Sequence, residues 1–300
     1  MRFSSSICTM ALVIVLTVSC STAKRHSRDF TPEFAFTEGI EGPAVNAEGD
    51  LYAVNYQRQG TIGRVRPDGR AEIFLSLPEG SIGNGIRFDT SGNMFIADYM
   101  AHRLYRVSNG QHTPEVWAED SRMNQPNDLA IGPKGAIYLS DPKWADSTGQ
   151  LWMVGPDRKI RLLESGMGTT NGIEVSPGGE KLYVNESVQR TVWQYDIGQD
   201  GLPANKRILI RFEDHGLDGM RCDRKGNLYI ARYGKGTVAM VSPRGKVLGE
   251  FRLKGKKPSN ITFGGADGKR CFVTMADRGC IESFSAPEPG SYYAQIHQLK

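Results

Sequence analysis

Six oxygen-bearing side chains recur at one phase along this 300-residue chain: Glu41, Asn84, Asn127, Asn171, Asp218 and Asn260. Each stands eleven or twelve residues before an aromatic, namely Tyr52, Phe95, Tyr138, Tyr183, Tyr229 and Phe272. Their contexts are Glu-Gly, Asn-Gly, Asn-Asp, Asn-Gly, Asp-Gly and Ser-Asn-Ile. Taken singly, an Asn-Gly or Asp-Gly pair is an ordinary turn former. A turn, however, has no need of an oxygen-bearing side chain at the same offset in every unit. Two carboxylates with several carboxamides form a set of hard oxygen donors, which suits Ca2+ and, less well, Mg2+ or Mn2+. Glu41 and Asp218 together balance a divalent charge.

The elements that must position these residues follow from the repeat itself. The aromatics close the segments Gly-Asp-Leu-Tyr (49–52), Gly-Asn-Met-Phe (92–95), Gly-Ala-Ile-Tyr (135–138), Glu-Lys-Leu-Tyr (180–183), Gly-Asn-Leu-Tyr (226–229) and Lys-Arg-Cys-Phe (269–272). They recur every 43 to 46 residues, a period that marks a repeat architecture. After most copies comes a strand-like run such as Arg103–Val107, Leu151–Val154 or Thr237–Val241. A Pro/Gly/Asp turn and a further apolar run follow, as in Ala71–Leu77 or Val247–Leu253. Four short strands per unit cannot bury both faces alone. Radial stacking leaves only short protected edges. The predicted fold is all-β: a six-bladed β-propeller over residues 30–300, with four antiparallel strands per blade and little helix. Ring closure by Phe30–Phe36 or by Tyr292–Leu299 is left open. In such a ring the innermost strands start near the axis, so the six oxygen-bearing positions are expected around the mouth of a central channel.

Composition sets the remaining bounds. Thirty-seven basic and 33 acidic residues leave a net charge of +4, too small and too dispersed for a dedicated nucleic-acid binder. With 39% apolar residues the chain can build a sizeable core, and 35 glycines without a collagen period point to many tight turns. At the N-terminus, Arg2 precedes an apolar run from Ile7 to Val18, too short to span a bilayer and suited to a secretory signal. Ser21-Thr22-Ala23 reads as a cleavage site, giving a signal over 1–23. Leu16-Thr17-Val18-Ser19-Cys20 reads as a lipobox, which would end the signal at 19 and attach lipid at Cys20. The lipid reading is favoured because Lys24–Asp29 then forms a polar tether. On either reading the folded part is extracytoplasmic, touching a membrane only through the lipid, and is expected to be monomeric. Cys222, Cys271 and Cys280 are odd in number and lack Cys-x-x-Cys spacing, so they read as buried hydrophobes and not as a zinc site.

Several motifs together resemble the senescence marker protein (regucalcin), gluconolactonase and luciferin-regenerating enzyme family. They are Glu41-Gly-Pro; Gln125-Pro-Asn-Asp-Leu with Leu139-Ser-Asp-Pro142; Thr170-Asn-Gly-Ile with Leu182-Tyr-Val; Asp218-Gly-Met with Gly226-Asn-Leu-Tyr; and Asn260-Ile-Thr-Phe-Gly-Gly265. The resemblance spans nearly all of the chain beyond the address and implies a six-bladed propeller with one divalent cation on its axis. It matches Glu41, Asn171 and Asp218 to the core metal ligands and Asn127 to a fourth. Asn84 and Asn260 fall outside that set and are assigned substrate contacts or support of the ligands. Where relatives often carry Asp after Leu-Tyr-Val, this chain has Asn185-Glu186-Ser187, so a substrate contact there is expected to differ.

The implied reaction is opening of a sugar lactone or related cyclic ester, with Ca2+ expected and Zn2+, Mg2+ and Mn2+ as alternatives. Ca2+ acidifies bound water less than Zn2+ does, so a carboxylate base remains useful. Asp218 is expected to be both ligand and base, with Glu41 as the alternative base. Loops after the second strands carry Tyr99, His102 and Arg103; Asp141, Lys143 and Trp144; and Arg232 and Tyr233. Arg103, Lys143 and Arg232 are candidates for substrate hydroxyls or a carboxylate, and Trp144 for an apolar wall. Two rival readings stand beside this one: a non-catalytic surface propeller whose ion only stiffens the channel, and an esterase or phosphotriesterase using the same cation.

Overall fold

In the computed structural model, residues 26–298 are described. The signal, Cys20 and the first two tether residues, Lys24 and Arg25, lie outside them. Twenty-four strands form six four-stranded antiparallel sheets, the predicted six-bladed β-propeller. In five sheets the strands follow chain order, occupying residues 36–76, 83–119, 129–168, 170–211 and 220–252. Arg103–Val107 and Thr237–Val241 are strands with the boundaries read from the sequence. Outer strands such as Pro203–Arg211 are largely exposed, while inner strands such as Leu51–Tyr56 are buried throughout.

The sixth sheet resolves ring closure. Its strands Pro258–Gly264, Arg270–Met275 and Cys280–Ser285 are completed from the other end of the chain by Arg28–Asp29. Arg28 pairs with Ser283 and Asp29 with Glu282. The tether assignment is therefore corrected over its last four residues: His26 bridges Arg252, Ser27 is buried and bonds Glu282 and the Arg252 carbonyl, and Arg28 and Asp29 form the strand. Both are exposed on the outermost edge of a blade, where polar residues cost nothing, so they look like linker. The other candidate for closure, 292–299, contains instead the short helix Ser291–Ile296. Arg278 locks the seam: it ion-pairs with Asp29 at 2.7 Å, with Glu33, and with the fully buried Glu282 at 2.5 Å.

The core lies between blades. Tyr52, Val54 and Ile62 of the first blade pack on Ile86, Phe88 and Ile96 of the second. Phe36, Ile40 and Leu51 pack on Phe272 and Ile281 across the closure. Burying each such side chain is worth about 1.5–3 kcal/mol, so every blade depends on both neighbours. The repeated aromatic stands on the second strand, with Tyr52 opposite Ala44. It thereby fixes the height of the first strand relative to the axis.

Candidate metal centre

The ladder between first and second strands is interrupted at the oxygen-bearing positions. Register breaks flank Glu41, lie between Gly83 and Ile86, lie between Thr170 and Ile173, and precede Asn260. In the third and fifth blades the first strand begins only after Asn127 and Asp218. Freed from the ladder, these residues can turn toward the axis. The following glycines let neighbouring blades close around it. A Cβ on Gly42, which has φ +56°, would lie 1.9 Å from the Asn84 carbonyl oxygen, and one on Gly219 would lie 1.9 Å from the Asn260 carboxamide.

The structure brings Glu41, Asn171 and Asp218 into one buried cluster. Asn171 and Glu41 both lie close enough to Asp218 to act on its carboxyl, while the Gly219 backbone N–H donates to the Ser259 carbonyl at 2.8 Å and ties this strand to the next blade. Glu41 Oε2 accepts from Gly42 N at 2.7 Å and from Asn260 Nδ2 at 2.9 Å. Burial, with the nearby Asp128 charge adding to it, pushes the Glu41 carboxyl up to about 7. Burial and the adjacent Glu41 raise Asp218 well above the usual carboxylate range. Two like charges sharing a dry site disfavour ionisation unless a cation compensates them.

Two further oxygens fit that cation. Asn127 Oδ1 and Asn171 Oδ1 are buried and have no hydrogen-bond partner, a costly state that a metal ligand resolves. The donor set is thus two carboxylates and two carboxamide oxygens, all hard ligands. Among the described residues no group of three or more His, Cys, Asp and Glu could hold a metal, so an ion here depends on the two asparagines.

Beneath this cluster lies a feature the sequence reading missed. Asp128 is fully buried and meets Arg87 at 3.0 Å and Arg221 at 3.2 Å, with Glu174 3.7 Å from Arg87. Asn260 spans both levels, since its Nδ2 also lies 3.4 Å from Asp128 Oδ2. Full ionisation of Glu41, Asp218, Asp128 and Glu174 would leave two negative charges in excess over Arg87 and Arg221, and burial disfavours it unless a cation offsets them. A signal existed: Arg87, Glu174 and Arg221 each fall three residues past a ring position.

The substrate-contact candidates divide. Lys143 and Trp144 are exposed, with Lys143 paired to Asp146 at 2.5 Å. Arg103 is partly buried, donates to the Ala101 carbonyl and lies 3.7 Å from Glu119. Asn84 is partly buried and its Nδ2 donates to the Asn127 carbonyl at 3.1 Å. One assignment is corrected. Arg232 is fully buried, stacks 3.9 Å over Phe212 and donates to the Asp214 carbonyl and carboxylate, so it holds the 212–214 segment. Of the two roles open to Asn260, full burial and its bond to Glu41 match support of the ligand candidates and not contact with a substrate. Asp141 supports the site in a similar way. It accepts from the Asn124 and Gln125 backbone N–H groups and from Trp152 Nε1, fixing the approach to Asn127. Asn185, the position expected to differ, is fully buried and donates to the Asp218 carbonyl at 2.6 Å.

Comparison with known proteins bears on the fold and the family. A family model described as "SMP-30/Gluconolactonase/LRE-like region" matches residues 40–277. A gluconolactonase of Zymomonas mobilis is 27% identical over 272 residues, covering 79% of this chain and 76% of that protein. A diisopropyl-fluorophosphatase of Loligo vulgaris is 26% identical over 279 residues, covering 82% of this chain and 88% of that protein. Among solved structures, a protein titled calcium-binding regucalcin from Agrobacterium tumefaciens superposes with a TM-score of 0.73 at 21% identity, covering 88% of this chain and 97% of that one.

Proposed function

Because this chain belongs to the SMP-30/Gluconolactonase/LRE-like family, whose model spans residues 40–277, we propose that it hydrolyses a sugar lactone or related cyclic ester. The reading requires a divalent cation, Ca2+ first, held by Glu41, Asn127, Asn171 and Asp218. One observation carries it: among the described residues two carboxamide oxygens without hydrogen-bond partners are buried beside two carboxyls that burial raises, with Asp128 adding to the rise of Glu41 and Glu41 to that of Asp218. A scaffold needs only turn residues there and gains nothing from unpaired buried oxygens.

When bound, the cation supplies Lewis-acid polarisation of the lactone carbonyl. The chain's own residues supply the rest. Asn260 and the Gly42 N–H hold Glu41 Oε2 in place. The Asp218 backbone is held by Asn185 Nδ2, which donates to its carbonyl, and by the Ala231 carbonyl, which accepts from its N–H, with Asn171 beside its carboxyl. An Asp218 oxygen takes a proton from the attacking water as its oxygen bonds the carbonyl carbon. The same proton then goes to the ring oxygen as the ester C–O bond breaks, leaving a hydroxy acid.

The test is a panel of lactones, esters and phosphotriesters offered to metal-stripped protein, with Ca2+, Zn2+, Mg2+ and Mn2+ restored singly. Metal-dependent lactone turnover is expected. Asp218→Asn should lose at least about a hundredfold in kcat/KM, as expected when both base and charge compensation go. Full turnover by that variant, or by stripped protein, would refute the mechanism. Turnover of phosphotriesters alone would favour the second reading, to which the match with the squid fluorophosphatase lends support. The same reading places the enzyme outside the cytoplasm, anchored through Cys20. Loss of lipid labelling in a Cys20→Ser variant checks the anchor.

A further inference from the structure

The central tunnel does not end at the metal centre. Arg87, Glu174 and Arg221, with Asp128 behind them, make a floor. Below it opens a cavity of about 660 Å3 at the opposite mouth. Each blade contributes an apolar residue to its wall: Val45, Phe88, Ile131, Val175, Cys222 and Phe263. The helix Ser291–Ile296 borders it, fixed where the Tyr292 hydroxyl donates to the Asp89 carbonyl at 3.2 Å. Glu41, Asn127, Asn171 and Asp218 do not line it. Its volume is in the range of small-molecule sites, which are mostly apolar with a few placed polar groups.

The polar groups are concentrated at the floor. Arg87, Arg221 and Glu174 reach the cavity, whereas Asp128 is fully buried behind the two guanidiniums. Glu174 stands 3.7 Å from Arg87 and 4.0 Å from Arg221, beyond hydrogen-bond reach. Arg221 Nη2 makes one 3.5 Å contact, to the Pro43 carbonyl, among the described residues. Arg87 is already engaged, its Nη atoms donating to the Ile86 and Ile173 carbonyls and to Asp128, so the donor with capacity left at the cavity is Arg221 Nη2. Burial also holds the Glu174 carboxyl up at about 7, which weakens its claim on the guanidiniums near neutrality. A guanidinium's strongest partner is a carboxylate.

We propose that this cavity is a second binding site, for a small monocarboxylate with an apolar body, its head on Arg221 Nη2 with the Arg87 charge beside it and its body against the six-blade wall. The site is independent of whatever reaction the metal centre performs. Hexanoate, hexanol and hexanamide, titrated by calorimetry and ligand-observed NMR into the full chain, test it. Hexanoate is expected to bind saturably and about tenfold or more tighter than either uncharged probe. Ile131→Trp, which fills the wall from a partly exposed position, should weaken hexanoate about tenfold or more without changing metal affinity. If that variant does not fold, Ser91→Trp at the rim serves the same purpose. Absence of saturable hexanoate binding, equal affinity for hexanol, or unchanged affinity in the filled variant would each overturn the proposal. The last result would mean that the carboxylate binds elsewhere, including at the metal centre.

Discussion

At the residue scale, the axis of this molecule is a problem of charge. Four carboxylates and two guanidiniums share a channel from which water is largely excluded. Each pays for its burial only through the others. Glu174 isolates one part of that balance, because it holds no ligand position. Its carboxyl sits at about 7 in the folded protein because burial outweighs the attraction of Arg87, against 4.5 for the free group. A raised carboxyl means that the folded state binds the proton more tightly than the unfolded one. The resulting stability is fully present below pH 4.5 and is lost as pH rises to 7. Glu174→Gln should remove that dependence. Between pH 5.5 and 8 the wild type should lose about 2 kcal/mol more than the variant, read as a difference in chemical denaturation midpoints. Equal pH profiles would show that Glu174 ionises normally.

At the element scale, the innermost strands work by approaching more closely than side chains ordinarily permit. Gly219 illustrates the constraint, since a methyl there would overlap the Asn260 carboxamide that orients Glu41. Gly219→Ala should cost about 2–4 kcal/mol and lower metal affinity with it. Gly110, with positive φ but nothing within 4 Å of an added Cβ, provides the control: Gly110→Ala should cost only about 1 kcal/mol, from backbone strain alone. Denaturant titration with and without Ca2+ separates the two, and equal costs would show that the axial approach is unimportant. Second strands contribute similarly. Asn55, Asp98, Asp141, Glu186 and Arg232 stand three residues past the repeated aromatics. Through side-chain hydrogen bonds they hold the segments leading to the first strands. That explains why Arg232, which looks like a substrate contact in the sequence, is structural.

At the scale of the whole molecule, the ring stands or falls with the seam between its ends. Glu282 is fully buried and accepts from Ser27, from the Lys254 and Gly255 backbone N–H groups and from Arg278. Arg278→Ala leaves that carboxylate without its cation and releases Asp29 and Glu33. The expected loss is about 3–5 kcal/mol, with hydrogen exchange accelerating first in residues 28–36 and 280–285. Uniform acceleration over all six blades would instead mean that the ring opens only as one unit.

The internal repeat made the architecture legible in advance, because a period near 44 residues with one aromatic per unit admits few solutions that bury every sheet on both faces. The common phase of Glu41, Asn171 and Asp218 likewise made their clustering legible, since rotational repetition converts equal offsets in sequence into proximity at the axis. What only the tertiary structure decided were the contacts between units that the repeat does not encode. Arg87, Asp128, Glu174 and Arg221 are ordinary charged residues in sequence, and become a floor because four blades bring them together. Arg28–Asp29 looks like linker because an edge strand needs no apolar face, and its role appears only where it meets Cys280–Ser285. Local patterning reports which face of an element is buried, whereas charge pairing and ring closure depend on which distant segment arrives to meet it.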